Sequence, residues 1–233
     1  MNSTPTIILF SSAAGLPIFA GGLISSLLQS KSFPAKEEIN HFITAFGGGA
    51  LLSAIAFVLV PKAVTDLSMG ELSLIFVAGT VTFMLLDILS SRLGGSLAQV
   101  LSMMMDFIPE ALALGASFAY DHSFGLLIAI FIGLQNLPEG FNSYIELNEK
   151  MNKGKVLLLM FGLSLVGIVA ALTGEFLLND TKTVDSIMLF AAGGILYLIF
   201  QDIAPASKIK NNWRPATGAS LGFLLGMIGE KLI

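Results

Sequence analysis

The chain has 233 residues, of which 55% are apolar and only 12% charged, with a mean hydropathy of +0.84. Soluble domains carry about twice that charged share, so a water-soluble globule is excluded and one polytopic membrane domain over residues 1–233, bathed in the lipid bilayer, is predicted. The net charge of −4 comes without a basic tail or aromatic-rich basic patch, which excludes nucleic acid, and the lack of cysteine excludes disulfides and thiolate metal sites.

Eight apolar segments follow in chain order, at 6–28, 40–60, 71–91, 97–120, 124–147, 156–178, 186–203 and 216–232. Each is long enough for a membrane-spanning helix, and the connections leave no room for a soluble domain. The first contains Gly15 and Pro17 and lacks a basic leader, so it reads as a retained span and not a signal peptide.

The second span contains Ala45-Phe46-Gly47-Gly48-Gly49-Ala50-Leu51 and ends at Val60-Pro61-Lys62-Ala63. The seventh contains Phe190-Ala191-Ala192-Gly193-Gly194-Ile195-Leu196 and ends at Ala204-Pro205-Ala206-Ser207. Two similar stretches running in opposite directions predict an inverted repeat, with substrate held near the midplane between the halves.

The fourth and fifth spans carry the chemistry. Asp106-Phe107-Ile108-Pro109-Glu110-Ala111 is answered by Gln135-Asn136-Leu137-Pro138-Glu139-Gly140. Asp106 and Glu110 are four residues apart, which puts them on one helix face about 6 Å apart along the axis. Gln135 and Glu139 repeat that spacing, and Asn136 lies three before Glu139. Neighbouring antiparallel helices then bring three carboxylates and two amides together at mid-membrane. Pro109 and Pro138 cannot donate to the carbonyls of Met105 and Leu134, so each leaves a free oxygen nearby.

Asp87, Glu175 and Asp202 also fall within spans, yet no lysine or arginine lies deep enough to neutralise any of these acids. An ionised acid at the bilayer centre costs roughly 2.5–3.5 kcal/mol even on insertion scales, so protons or metal cations must supply the missing charge. Asp87 and Glu175 read equally well as protonated structural groups. His41 and His122 read as interfacial, Met103–Met105 as core or lipid contact, and the Gly218, Gly222, Gly226 ridge as packing or a homodimer seam.

Loop charges set the orientation. Lys31, Lys36, Arg92, Lys150, Lys153, Lys155, Lys208, Lys210 and Arg214 fall on one side of eight spans, and only Lys62, Lys182 and Lys231 on the other. The positive-inside rule makes the first side cytoplasmic and places both termini outside, most simply in a plasma (inner) membrane.

These motifs resemble the ZIP (Zrt-/Irt-like) family of divalent metal transporters, in a divergent prokaryotic-type form. The resemblance covers nearly the whole chain. It implies eight helices, outside termini and a metal site between helices 4 and 5. Glu110, Gln135 and Glu139 would line that site, with Asp106 in place of the family's histidine. Asn136 would serve a neighbouring second metal position, and Asp202 stands at a usual acidic position of the seventh span. Phe107 replaces an asparagine, and the sixth span around Gly162–Gly167 lacks an acid many members carry, so one well-formed site is expected.

The expected function is transport of zinc, or of manganese or iron, into the cytoplasm, with the divalent cation as substrate and no organic cofactor. The oxygen-only donors shift weight toward manganese and ferrous iron. The alternatives are a proton-coupled carrier of another small solute and a ZIP-like protein that binds metal without flux. An enzyme is not expected, since there is no Gly-x-Ser-x-Gly elbow, no His-Glu-x-x-His pair and no histidine inside a span.

Overall fold

A computed structural model describes residues 4–30, 35–93, 95–178 and 180–232. Lys31, which counts toward the orientation, lies outside the described residues. The fold is all-α, with eight long helices: α1 (Thr4–Gln29), α2 (Lys36–Asp66), α3 (Met69–Leu93), α4 (Gly95–Tyr120), α5 (His122–Asn148), α6 (Lys153–Leu177), α7 (Thr181–Ser207) and α8 (Arg214–Leu232). The first seven are long and apolar enough to cross a membrane, which makes this a polytopic membrane protein. Helix α8 forms over 19 residues but falls short in apolarity, because Arg214, Glu230 and Lys231 sit at its ends and glycine, serine and threonine dilute its middle.

Side-chain caps start several helices. Asp121 accepts from the amides of Ser123 and Phe124 at 3.0 and 3.1 Å ahead of α5, and Asn152 accepts from Lys155 at 3.0 Å ahead of α6. Asp180 does the same for α7 through the Thr183 amide and hydroxyl. Each satisfies amides that have no partner within the helix.

Helices α2 and α7 share a distortion. Each contains a five-residue π turn, Ile55–Leu59 in α2 and Ile199–Ile203 in α7, beginning six residues before a proline. The Val60 amide reaches back five residues to the Ile55 carbonyl, and Ala204 to Ile199. Pro61 and Pro205 lack an amide hydrogen and crowd the preceding turn, and a widened turn relieves that clash while keeping the helix continuous.

The helices sort into two groups by their packing. One comprises α1, α4, α5 and α6; the other comprises α2, α3, α7 and α8. Within each group, helix pairs cross at reciprocal glycines. Gly21 faces the Leu137 carbonyl while Gly140 faces that of Ile18, joining α1 to α5. Gly115 and Gly174 exchange the same contact with Ala171 and Leu112, joining α4 to α6. In the second group Gly49 and Gly222 join α2 to α8 over Ala219 and Phe46, and Gly79 and Gly193 join α3 to α7 over Phe190 and Phe76. A Cβ at any of these eight positions would strike a backbone oxygen, so only glycine permits the approach.

The α8 ridge is therefore consumed inside the chain. Gly218, Gly222 and Gly226 pack on Phe42, Phe46 and Ser53 of α2, so the ridge serves packing within the chain, the first of its two readings, and is not free as a homodimer seam. Helix α3 is the most lipid-exposed span, with Leu74, Val77, Val81, Leu85 and Leu89 directed outward.

Candidate functional site

Where the two groups meet, α2, α3 and α7 face α4 and α5 across a cavity of about 570 Å³. Its inner wall is Asp106 of α4 with Gln135 and Glu139 of α5, and its far end is lined by Ser91, Lys150 and Ala206. It thus runs from mid-helix to the loops that follow α3, α5 and α7. Gly47 and Gly48 of α2 line the opposite wall, and the missing side chain of Gly47 makes room for the ring of Pro138.

Part of the predicted cluster forms: the α4 and α5 faces meet through Gln135 and Glu110, but Asn136 does not join them and no three acids among the described residues converge as a metal site. Asp106, Glu110 and Gln135 are each at most 5% exposed, and the Gln135 amide donates to Glu110 Oε2. Asp106 Oδ1 accepts from the Phe107 amide at 2.9 Å. Glu110 Oε1, Gln135 Oε1 and Glu139 Oε2 are all buried without a hydrogen-bond partner. Both Asp106 and Glu110 lie within electrostatic range of Glu139. Lys150, at the mouth, is the one basic residue among the described residues lining the cavity. Orphaned oxygens without a donor are unfavourable in a low-dielectric site, and water, a proton or a cation entering the cavity would satisfy them.

As placed, no three of the His, Cys, Asp and Glu side chains among the described residues come close enough together to hold a metal ion. Gln135 binds Glu110 directly, and a cation here would draw ligands from that pair, from Glu139 and from Asp106 only as the Gln135 amide turned its oxygen inward. The donors are all hard or borderline oxygens, which suits a divalent cation held with some of its water.

Compared with known proteins, the chain matches no family model and no curated protein sequence. The site stands on its own geometry.

Two predicted residues sit elsewhere. Asn136 is 1% exposed and turns away from the cavity toward α1, where its amide donates to the Ala14 carbonyl at 2.8 Å. The Phe107 ring packs against the backbones of Gly15 and Gly167, and Asn136 Oδ1 is buried without a hydrogen-bond partner. Asp202 lies in the π turn of α7 and lines the cavity, but it is solvent-exposed and stands toward the mouth, away from the deep cluster.

Asp202 belongs instead to an acidic mouth that spacing alone did not assemble. Asp87 of α3 accepts from the Tyr197 hydroxyl at 2.9 Å, and Glu146 of α5 lines the same cavity from the facing wall. Glu146 carried a readable signal, standing seven residues after Glu139 and so two turns along the same face. Glu175 lies outside the cavity and accepts from the Thr4 hydroxyl at 3.4 Å. His41 sits 4.0 Å from Glu37 and His122 packs edge-on to Phe118, both as interfacial residues.

Proposed function

We propose that this protein carries a divalent transition-metal cation across the membrane into the cytoplasm, with zinc first and manganese or ferrous iron next. The observation that carries the reading is the trio of orphaned oxygens on Glu110, Gln135 and Glu139, the last two on the inner wall of a cavity whose one basic lining residue among the described residues, Lys150, stands at the mouth. The resemblance of the two Pro-Glu motifs to the ZIP family supports it. So does the packing: exchanging α1 with α6, α2 with α7, α3 with α8 and α4 with α5 maps every reciprocal glycine crossing onto another, as an inverted repeat requires.

The mechanism follows from the two groups. Each is locked internally by glycine-to-backbone crossings, while the cavity lies on the boundary between them. A cation reaching the deep cluster sheds water onto the carboxylates and leaves past Glu146, Asp202 and Asp87 as one group shifts against the other. With the lysine-rich loops cytoplasmic, the cavity opens toward the inside.

The test is uptake of Zn²⁺, Mn²⁺ and Fe²⁺ by proteoliposomes. Wild-type flux that disappears in Glu139→Ala supports the proposal, and flux that survives the substitution removes its core. The Gln135–Glu110 hydrogen bond, and the lack of three convergent acids among the described residues, favour a second reading in which the cluster holds protons and binds metal without flux. Metal-dependent thermal stabilisation with zero uptake would select that reading.

A further inference from the structure

We propose that the opposite end of the same group boundary holds a second, outer cation-binding site, built on Asp185 and Asp66 with the Ser117 hydroxyl and guarded by Lys62. A separate cavity of about 410 Å³ lies there, between the end of α2, the start of α7 and the junction of α4 with α5. It shares no lining residue with the central cavity.

Two buried polar atoms in this cavity lack partners. Asp185 and Ser117 are each only 3% exposed, and both Asp185 Oδ2 and Ser117 Oγ make no hydrogen bond. They come from different groups, α7 and α4, and line the same space. Asp66 lies close enough to Asp185 to share a hydrogen bond when one of them carries a proton. The lining thus holds three carboxylates, Asp66, Asp121 and Asp185, against one ammonium. Asp121 is already engaged by the amides of α5, which leaves Asp66 and Asp185 for a ligand. The nearby Lys182 is taken up by Glu71 at 2.7 Å.

Lys62 is the tethered competitor. Its Nζ sits 3.4 Å from the centroid of the Phe124 ring, across the group boundary from its own helix. A cation over an aromatic face is held more loosely than one paired with a carboxylate, so a divalent ion pairing with Asp66 and Asp185 displaces the half-buried Lys62 ammonium. Ser117 lies seven residues beyond Glu110 on one face of α4, about 10 Å along the axis. The fully buried Leu114 stands between them on that face. The outer site therefore receives a cation two helical turns before the central one, with an apolar plug dividing the two.

The proposal rests on the transport reading only for the direction of traffic; the site is claimed for a divalent cation whether or not flux occurs. Its test is equilibrium binding of Zn²⁺ to the purified full chain carrying Glu110→Gln and Glu139→Gln, which disables the central cluster. One Zn²⁺ per chain is expected to remain, to be lost on adding Asp185→Asn and to bind severalfold more tightly on adding Lys62→Gln. No residual Zn²⁺, or residual binding indifferent to Asp185→Asn, overturns the outer site without touching the transport reading. Zero wild-type uptake would do the reverse. Because the chain has no cysteine, a nitroxide on Thr65→Cys in the Glu110→Gln, Glu139→Gln background gives a second measurement. Mn²⁺ should broaden its spectrum, and Asp185→Asn should abolish the broadening; an unbroadened spectrum at saturating Mn²⁺ also overturns the proposal.

Discussion

Glu110 and Glu139 differ in what surrounds them, and that difference predicts different responses to neutralisation. Glu110 accepts from Gln135, so Glu110→Gln keeps volume and burial while removing one charge from the cluster. It is expected to fold with a melting temperature at or above that of the parent, because the desolvation cost of a buried acid disappears. Metal binding measured by calorimetry should nonetheless fall by about tenfold or more, the range seen when groups around a metal are altered. A drop in folding yield with unchanged metal affinity would assign Glu110 a structural part instead.

Asp180 lies outside the spans and shows the opposite electrostatics. The Thr183 hydroxyl and amide hold its carboxyl below the usual carboxylate range. A lowered value means the cap contributes fully above the unfolded pKa and fades as pH falls through the folded one. Asp180→Asn keeps an acceptor that cannot titrate. Thermal melts taken below about pH 4, where free carboxylates protonate, should show a shallower acid-side decline in the variant than in the parent.

At the scale of helices, glycine decides which pairs meet. Gly115→Ala would drive a methyl into the Ala171 carbonyl between α4 and α6, and the cost of such overpacking is about 1–3 kcal/mol. Gly162 of α6 has nothing within 4 Å of where a Cβ would stand. Gly162→Ala should leave stability unchanged or raise it by about 0.5–1 kcal/mol through helix propensity. Unfolding of the two variants in denaturing detergent, run side by side, separates crossing glycines from incidental ones. The π turns are a second property of single helices. Replacing Pro205 by alanine removes the cause of the widened turn in α7, and with it the position of Asp202 at the mouth.

The whole molecule behaves as two helix groups meeting at a cavity, and that arrangement can be cross-linked. Thr44 of α2 donates to Asn142 of α5 at 2.8 Å across the boundary, whereas Thr4 of α1 meets Glu175 of α6 within one group. A short bifunctional cross-linker between Thr44→Cys and Asn142→Cys should arrest uptake. The same reagent between Thr4→Cys and Glu175→Cys should leave it within about twofold of the uncross-linked rate, since motion between the groups stays free. Equal inhibition by both links would argue against relative movement of the groups.

The membrane class, the order of the apolar helices, and the pairing of the Asp106–Glu110 face with the Gln135–Glu139 face were all legible in the residues. They depend on composition and on the 3.6-residue period, which are local properties of the chain. The small residues at Gly49 and Gly193 and the prolines at 61 and 205 likewise marked α2 and α7 as related before their matching π turns were seen. Which neighbours the other faces would meet was not legible. Asn136 lies one position from Gln135, a rotation of about 100° around the helix, and that suffices to send it to the Ala14 carbonyl and away from the cavity. Asp202 stands one residue from the end of the seventh apolar segment, and only the packing of α7 on α3 and α4 places it at the mouth with Asp87 and Glu146. The glycines of α8 could have met another chain as easily as α2. Periodicity fixes the angle between residues on one helix but not the rotation of that helix against its neighbours. Rotation is set by the carbonyl-to-glycine crossings, which exist only once the helices are packed.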